Sequence, residues 1–352
     1  MNDSSLKLLR EPKEVIRRVH SLFPQMFRQI EKARWDNVAL ERAGKIAPRP
    51  DFAWGHFPAV LNAINAEISD EEYRRTEIKA LKICLPTLAV WRLTQGIYQF
   101  DPTLFESLQH SELKGKFPVE LLYRLPEWGL YVPLPQTTEL YGGIRTVGFF
   151  ASLWFAPKEM VAPAPGGVQL HIALHLESGE VYPVALWLQG DLNSIMESGF
   201  EYLKAHGHPK IDPDPEETSE HNRSNAFIIK LLLYLCSEKP DLSGLVGPPT
   251  PQKMRGGEER IFAAQSPHLI EVGYRLGAGI RRARELEGTH DNSGRRGLPK
   301  TPHIRKAHYQ LYWTGVGRTV PITHWVSAML VNMPILDEQF STVRPVKNKE
   351  SP

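Results

Sequence analysis

The sequence predicts an α+β protein, and three observations predict it. Up to about residue 124 the apolar side chains recur at helical spacing. From Leu125 the period changes toward two, in short runs bounded by Pro and Gly clusters such as Pro163 to Gly167. Near the C-terminus two further strand-like runs, Arg305 to Trp313 and Ile322 to Asn332, flank a glycine-marked turn from Gly315 to Pro321. The expected organisation is a helical N-terminal lobe (1–124), an α+β domain (125–345) with a central antiparallel sheet, flanking helices and a C-terminal β-hairpin, and a frayed tail (346–352).

Within the lobe, Glu11 to Phe23 places Val15, Ile16, Val19, Leu22 and Phe23 on one stripe, the mark of an amphipathic helix. Pro12 is expected in its first turn, and Pro24 ends or kinks it. Met26, Ile30 and Trp35 extend the pattern beyond the kink. Phe57 to Ile68 is a further helix closed by Ser69-Asp70-Glu71-Glu72, which also opens the next one through N-capping and first-turn carboxylates. That helix is expected to run toward Lys82 and to end or kink at Pro86. Leu88 to Phe100 is another helix, with Trp91 and Tyr98 on one face and Asp101-Pro102 as its stop.

The strands expected next are Trp128 to Val132, Arg145 to Phe155, Gln169 to Leu176 and Val181 to Leu188, consecutive and antiparallel. In the third, Leu170, Ile172, Leu174 and Leu176 alternate with polar or small residues, so one face is buried. Helices follow at Leu192 to His206, Asn225 to Ser237 and Pro267 to Glu287, with loops at His208 to Glu220, Gly244 to Gly257 and Gly288 to Gly297. In the last helix Gly277 and Gly279 each weaken the helix by about 1 kcal/mol relative to Ala, which points to close approach of a neighbour.

Composition excludes several classes. With 41% hydrophobic and 23% charged residues the chain is neither disordered nor fibrous. The charge-interrupted N-terminus lacks the apolar core of a secretory signal, and no run reaches the ~20 apolar residues of a membrane span, so a cytoplasmic protein is expected. Cys84 and Cys236 lie in apolar runs and read as buried reduced thiols. No P-loop, dinucleotide fingerprint, nucleophile elbow or zinc motif is present, so no cofactor, metal or catalytic residue is expected. His206 and His208 have no ligand pattern beside them. His171, His175 and Glu177 share one strand face, but residues two apart on a strand sit about 7 Å apart, too far for one straight strand to ligate a metal. That face is read as solvated.

Chemistry concentrates from Arg295 to Arg318. Arg295, Arg296, Lys300, Arg305, Lys306 and Arg318 meet no acid within the segment, and His303, His308, Tyr309, Tyr312 and Trp313 lie among them. Although the whole chain carries only +2, this stretch has the footprint of a surface that meets an anionic partner. On a strand, Arg305, Ala307, Tyr309, Leu311 and Trp313 share one face, and Lys306, His308, Gln310 and Tyr312 the other. Aromatics beside Arg and Lys suit stacked bases and phosphates; they suit equally a peptide groove whose strand edge offers backbone hydrogen bonds. A plain core strand is the third reading. Arg275, Arg281, Arg282 and Arg284 make a second basic flank on the preceding helix. A metal-independent ribonuclease using His303 and His308 as acid and base is an alternative of another class, as is a DNA- or RNA-binding regulator of a phage or plasmid.

PHIRKAHYQLYWTGVG (Pro302 to Gly317) followed by THWVSAMLVN (Thr323 to Asn332) resembles the C-terminal signature of the second class of type V-A anti-CRISPR proteins. WRLTQGIYQFD (Trp91 to Asp101), LPEWGLYV (Leu125 to Val132), LYLCSEKPDL (Leu233 to Leu242) and YRLGAGIRR (Tyr274 to Arg282) match in the same order. The resemblance covers Leu88 to Asn332 in blocks, and is weak before Leu88 and from Pro133 to Gly190. It implies an inhibitor, carried by a mobile genetic element, that lowers the level of the type V-A CRISPR effector nuclease. The implied partner is the nascent N-terminal segment of that effector, with loss of its mRNA as the result and ribosome or mRNA as further contacts.

Overall fold

The computed structural model describes residues 3–68, 76–113, 115–157, 167–195, 215–244, 252–254, 259–289, 303–305, 307–326 and 329–331. Helices α1 (Asp3–Leu22), α2 (Met26–Arg42), α3 (Phe57–Glu67) and α4 (Thr76–Thr94) form the N-terminal lobe. Pro24 stops α1 as expected. Pro12 and Pro86, however, both lie inside helices, α1 and α4, so neither marks an end. The acidic tetrad at 69–72 lies outside the described residues.

The expected helix from Leu88 to Phe100 divides in two. Gln95 adopts φ +58°, a left-handed conformation that terminates α4, and Gly96–Phe100 is strand β1. Trp91 and Tyr98 therefore do not share a face: they enter opposite cores. A short helix α5 (Pro102–Gln109) follows, with Asp101 Oδ1 accepting from the backbone N–H groups of Thr103 and Leu104 at 2.9 and 3.2 Å. Strand β2 (Glu112–Leu113) and a 3-10 helix (Val119–Arg124) lead to the sheet.

Strands β3 (Gly129–Leu140), β4 (Ile144–Ala156), β5 (Gly167–Leu176) and β6 (Val181–Trp187) are consecutive and antiparallel, as the sequence predicts. The sheet is nevertheless mixed. Its order is β6-β5-β4-β3-β1-β10-β7, where β10 is His268–Val272 and β7 is Leu242–Ser243, and β1 runs parallel to both β3 and β10. The expected helix from Pro267 thus begins as a strand: only Tyr274–Thr289 is helical (α7), after Gly273 at φ +74°. Nothing local marks the parallel half as strand: β1 is a five-residue run buried on both faces and carries no alternation, while β10, with Glu271 exposed between the buried Ile270 and Val272, is too short to set a period.

Period two sorts the β-strand residues between two cores. In β4, Phe149, Ala151 and Leu153 pack with helix α6 (Pro215–Leu235), α5 and the 3-10 helix; Phe150 and Trp154 pack under α1–α4. Trp154 meets Trp54 edge-on with ring centroids 5.7 Å apart. In β5, Leu170, Ile172 and Leu174 take the α6 side. His171 and His175 consequently turn toward the helical lobe, and both are buried, so the expected solvated face is corrected. His171 Nε2 lies 2.7 Å from Gln169 Oε1 and its ring 4.5 Å from that of Phe57; Tyr131 Oη lies 3.0 Å from His175 Nδ1. Glu177 alone of the trio is at the surface, where it takes Arg145 Nε at 2.7 Å. The reason is tertiary: the lobe covers the second face of the sheet.

The two glycines of α7 have different meanings. At Gly277 a Cβ would run into the buried Asp101 carboxylate, which also holds Arg281 Nη1 at 2.8 Å; at Gly279 nothing lies within 4 Å. Gly279→Ala should therefore stabilise the protein by about 0.5–1 kcal/mol through helix propensity and unfolded-state entropy. Gly277→Ala should destabilise it by at least 1 kcal/mol, roughly the penalty of displacing a packed group. Urea unfolding of the two variants separates these outcomes, and equal shifts would contradict the close approach.

Candidate functional site

The predicted C-terminal hairpin exists as two separate strand pairs. Strand β11 (His303–Arg305) pairs with β14 (Met329–Val331), and β12 (His308–Thr314) pairs with β13 (Val320–Val326), in both cases antiparallel. Ala307 separates β11 from β12, so the single long strand expected from Arg305 is divided. The turn carries Gly315, Gly317 and Arg318 at φ +77°, +71° and +55°.

The hairpin is fastened at its base. Tyr309 is buried and donates its hydroxyl to the Lys230 carbonyl of α6 at 2.5 Å. Trp325 Nε1 donates to Ser111 Oγ at 2.9 Å and its ring meets Tyr234 at 6.0 Å. On the outer side of β13, the Thr323 carbonyl accepts from the Glu238 N–H at 3.1 Å and the Pro321 carbonyl from Arg124 Nη2 at 2.7 Å. None of Ser111, Lys230, Glu238 or Arg124 is marked as an anchor by any local motif. Each is recognisable only once chain segments distant in sequence are brought together.

Toward the tip the same strands are open. Tyr312 is 42% exposed, Trp313 48% and Val316 99%. Arg318 is exposed, and His324 stacks edge-on against Tyr312 at 5.2 Å while its Nε2 lies 2.7 Å from Glu238 Oε2. The predicted alternation holds on one face: Ala307 and Tyr309 are buried, Leu311 is half-buried, and Trp313 has passed beyond the core. His308 is half-buried, and Gln310 is exposed.

Only part of the predicted cluster falls among the described residues. Arg295, Arg296, Lys300 and Lys306 lie outside the described residues, as do the side chains of His303 and Arg305. What the structure brings together is an aromatic tip with Arg318. On α7, Arg275 Nε meets Asp241 Oδ1 at 2.6 Å, Arg281 meets Asp101, and Arg284 Nη1 meets Glu106 Oε2 at 2.8 Å; Arg282 is exposed. These carboxylates, remote in sequence, offset much of the flank's positive field. Among the described residues no group of three His, Cys, Asp or Glu could hold a metal ion, and no helix is long and apolar enough to cross a membrane. Burial raises the thiol pKa of both Cys84 and Cys236, as expected for inert core cysteines.

The fold and the site define an α+β protein that covers both faces of a mixed sheet with helices and holds an aromatic hairpin out from them. The AcrVA2-like family model (Anti-CRISPR type V subtype A2 family) matches residues 98–333, and the chain belongs to that family of anti-CRISPR proteins. Three chains of solved structures match, among them one described as the crystal structure of AcrVA2. That likeness has a TM-score of 0.61 at 18% identity, over 94% of this chain and 100% of the other. At such identity it concerns the fold. Among curated proteins nothing matches the sequence.

Proposed function

We propose that this anti-CRISPR protein lowers the level of the type V-A effector nuclease by recognising the effector's N-terminal segment as it is translated, and that this engagement leads to loss of the effector's mRNA in the bacterial cytoplasm. Family membership over residues 98–333 is the observation that carries the reading. The exposed Tyr312, Trp313 and Val316 at the end of a firmly anchored hairpin supply a surface suited to a peptide's side chains. Arg318 beside them gives the tip a positive charge, suited to work near ribosome or mRNA.

The test is co-expression with a type V-A effector whose first codons are either native, recoded synonymously, or altered to encode a different peptide. Effector mRNA should fall with the native and synonymous versions and be spared when the peptide changes. Equal repression of all three would remove nascent-chain recognition. Repression lost with synonymous recoding would shift the reading to direct RNA recognition.

A further inference from the structure

Among the described residues most outer strand edges are short, carry proline or are already occupied. Edge strands β7, β11 and β14 are two or three residues long, as are β2 (Glu112–Leu113), β8 (Gln252–Lys253) and β9 (Glu259–Arg260), too short to template pairing. On the long edge strand β6, Pro183 removes a donor. Along β13, Pro321 lacks an N–H, and the Pro321 and Thr323 carbonyls are already taken by Arg124 and Glu238. The outer edge of β12 is different. Among the described residues β2 covers only His308 and Tyr309, in parallel, and no strand pairs with that side from Gln310 to Thr314.

The direction of the free groups follows from the register. Since the Thr323 and Pro321 carbonyls point away from β12, their partners Leu311 and Trp313 form the non-hydrogen-bonded pairs of the ladder, and must also direct N–H and C=O away from β13. These groups face the open side. The stretch Gln310-Leu311-Tyr312-Trp313-Thr314 contains no charge, proline or bulge, the usual devices that keep an edge from pairing. Leu311 and Trp313 flank one side of such an edge, and Tyr312 the other.

We propose that the β12 edge from Gln310 to Thr314 receives an extended peptide as an added strand, continuing the position that β2 occupies beside His308 and Tyr309. Continuity with β2 argues for a polypeptide occupant, because the chain's own backbone already uses the start of this edge in the same way. The inference rests on the peptide-recognition reading above and deepens it: main-chain hydrogen bonds to Leu311 and Trp313 supply affinity, and the aromatic side chains select the alternate residues of the peptide.

The experiment measures binding of two fluorescent synthetic peptides to the full chain. One is the effector's N-terminal segment and the other an uncharged alternating Val/Thr peptide. Trp313→Pro removes an outward N–H opposite Pro321 without breaking a β12–β13 hydrogen bond, and should raise Kd by about tenfold or more, the scale of a lost hydrogen bond with added steric exclusion. Trp313→Val keeps the N–H and should stay within about threefold, the scale of lost side-chain contact alone. N-methylation along the peptide, which leaves the protein untouched, should weaken binding at every second residue only. Wild-type affinity in W313P, equal losses in W313P and W313V, or an N-methyl profile without period two would each overturn the edge. Failure of both peptides to bind, or a dimer that W313P abolishes, would overturn it too, the latter by assigning the edge to a second copy. If the Val/Thr peptide binds in the expected pattern while the effector peptide does not bind, the edge stands and the nascent-chain reading falls.

Discussion

Tyr309→Ala is expected to lower the unfolding free energy by about 3–5 kcal/mol, the range for truncating a fully buried aromatic side chain. Tyr309 is the first residue of the aromatic hairpin to enter the main core, and its hydroxyl fixes the hairpin to the Lys230 carbonyl. Tyr309→Phe keeps the ring and removes only that bond, which should cost about 1 kcal/mol. Trp313→Ala, four residues along the same face, should change stability by no more than about 0.5 kcal/mol, because the side chain is beyond the core. Chemical unfolding of the three variants checks the order. Similar losses for Tyr309→Ala and Trp313→Ala would contradict the division of the hairpin into a buried base and an open tip.

Acidification is expected to destabilise the protein through His171 and His175. Burial lowers their pKa to about 3 and about 4 from 6.5, so the folded state holds both rings neutral. The unfolded chain binds the protons first. Stability from each neutral ring is thus complete above pH 6.5 and is lost as pH falls toward the folded values, at about 1.4 kcal/mol per unit per histidine. At pH 5 the two together should have removed about 4 kcal/mol. His56, its pKa also lowered chiefly by burial, acts in the same direction. Glu127 opposes them: burial raises its carboxyl pKa, so its protonation favours the folded state. Urea midpoints measured from pH 7 to pH 5 should decline, and His171→Gln should flatten the slope. A constant midpoint across that interval would contradict burial of the two rings.

Much of the α+β architecture was legible because amphipathic elements advertise themselves. Strands β3 to β6 fall in short runs between turn residues, α1 and α3 carry apolar stripes, and Pro24 ends a helix where local chemistry requires it. β1 reads as part of a helix because its short run is buried on both faces, β10 because five residues with one exposed Glu271 are too few to set a period, and the histidine face of β5 reads as solvated because the helices that cover it are remote in sequence. A covered strand needs no polar alternation, and a histidine can sit inside when a Gln oxygen or a Tyr hydroxyl satisfies its ring.

For the site, the sequence located the hairpin but left open which of its aromatic residues are buried, and the order of its motifs indicated the family. It overstated the charge on α7, since Asp241, Asp101 and Glu106 lie far along the chain from the arginines they engage. By itself, then, the sequence determined the elements whose stability is local: periodic helices, alternating strands and glycine turns. Tertiary structure alone decided which strand edges were closed, which histidines were dry and which arginines were paired. Many of those outcomes depend on contacts between segments remote in sequence, from the 34 residues between Asp241 and Arg275 to the 197 between Arg124 and Pro321, and no local pattern encodes such pairings.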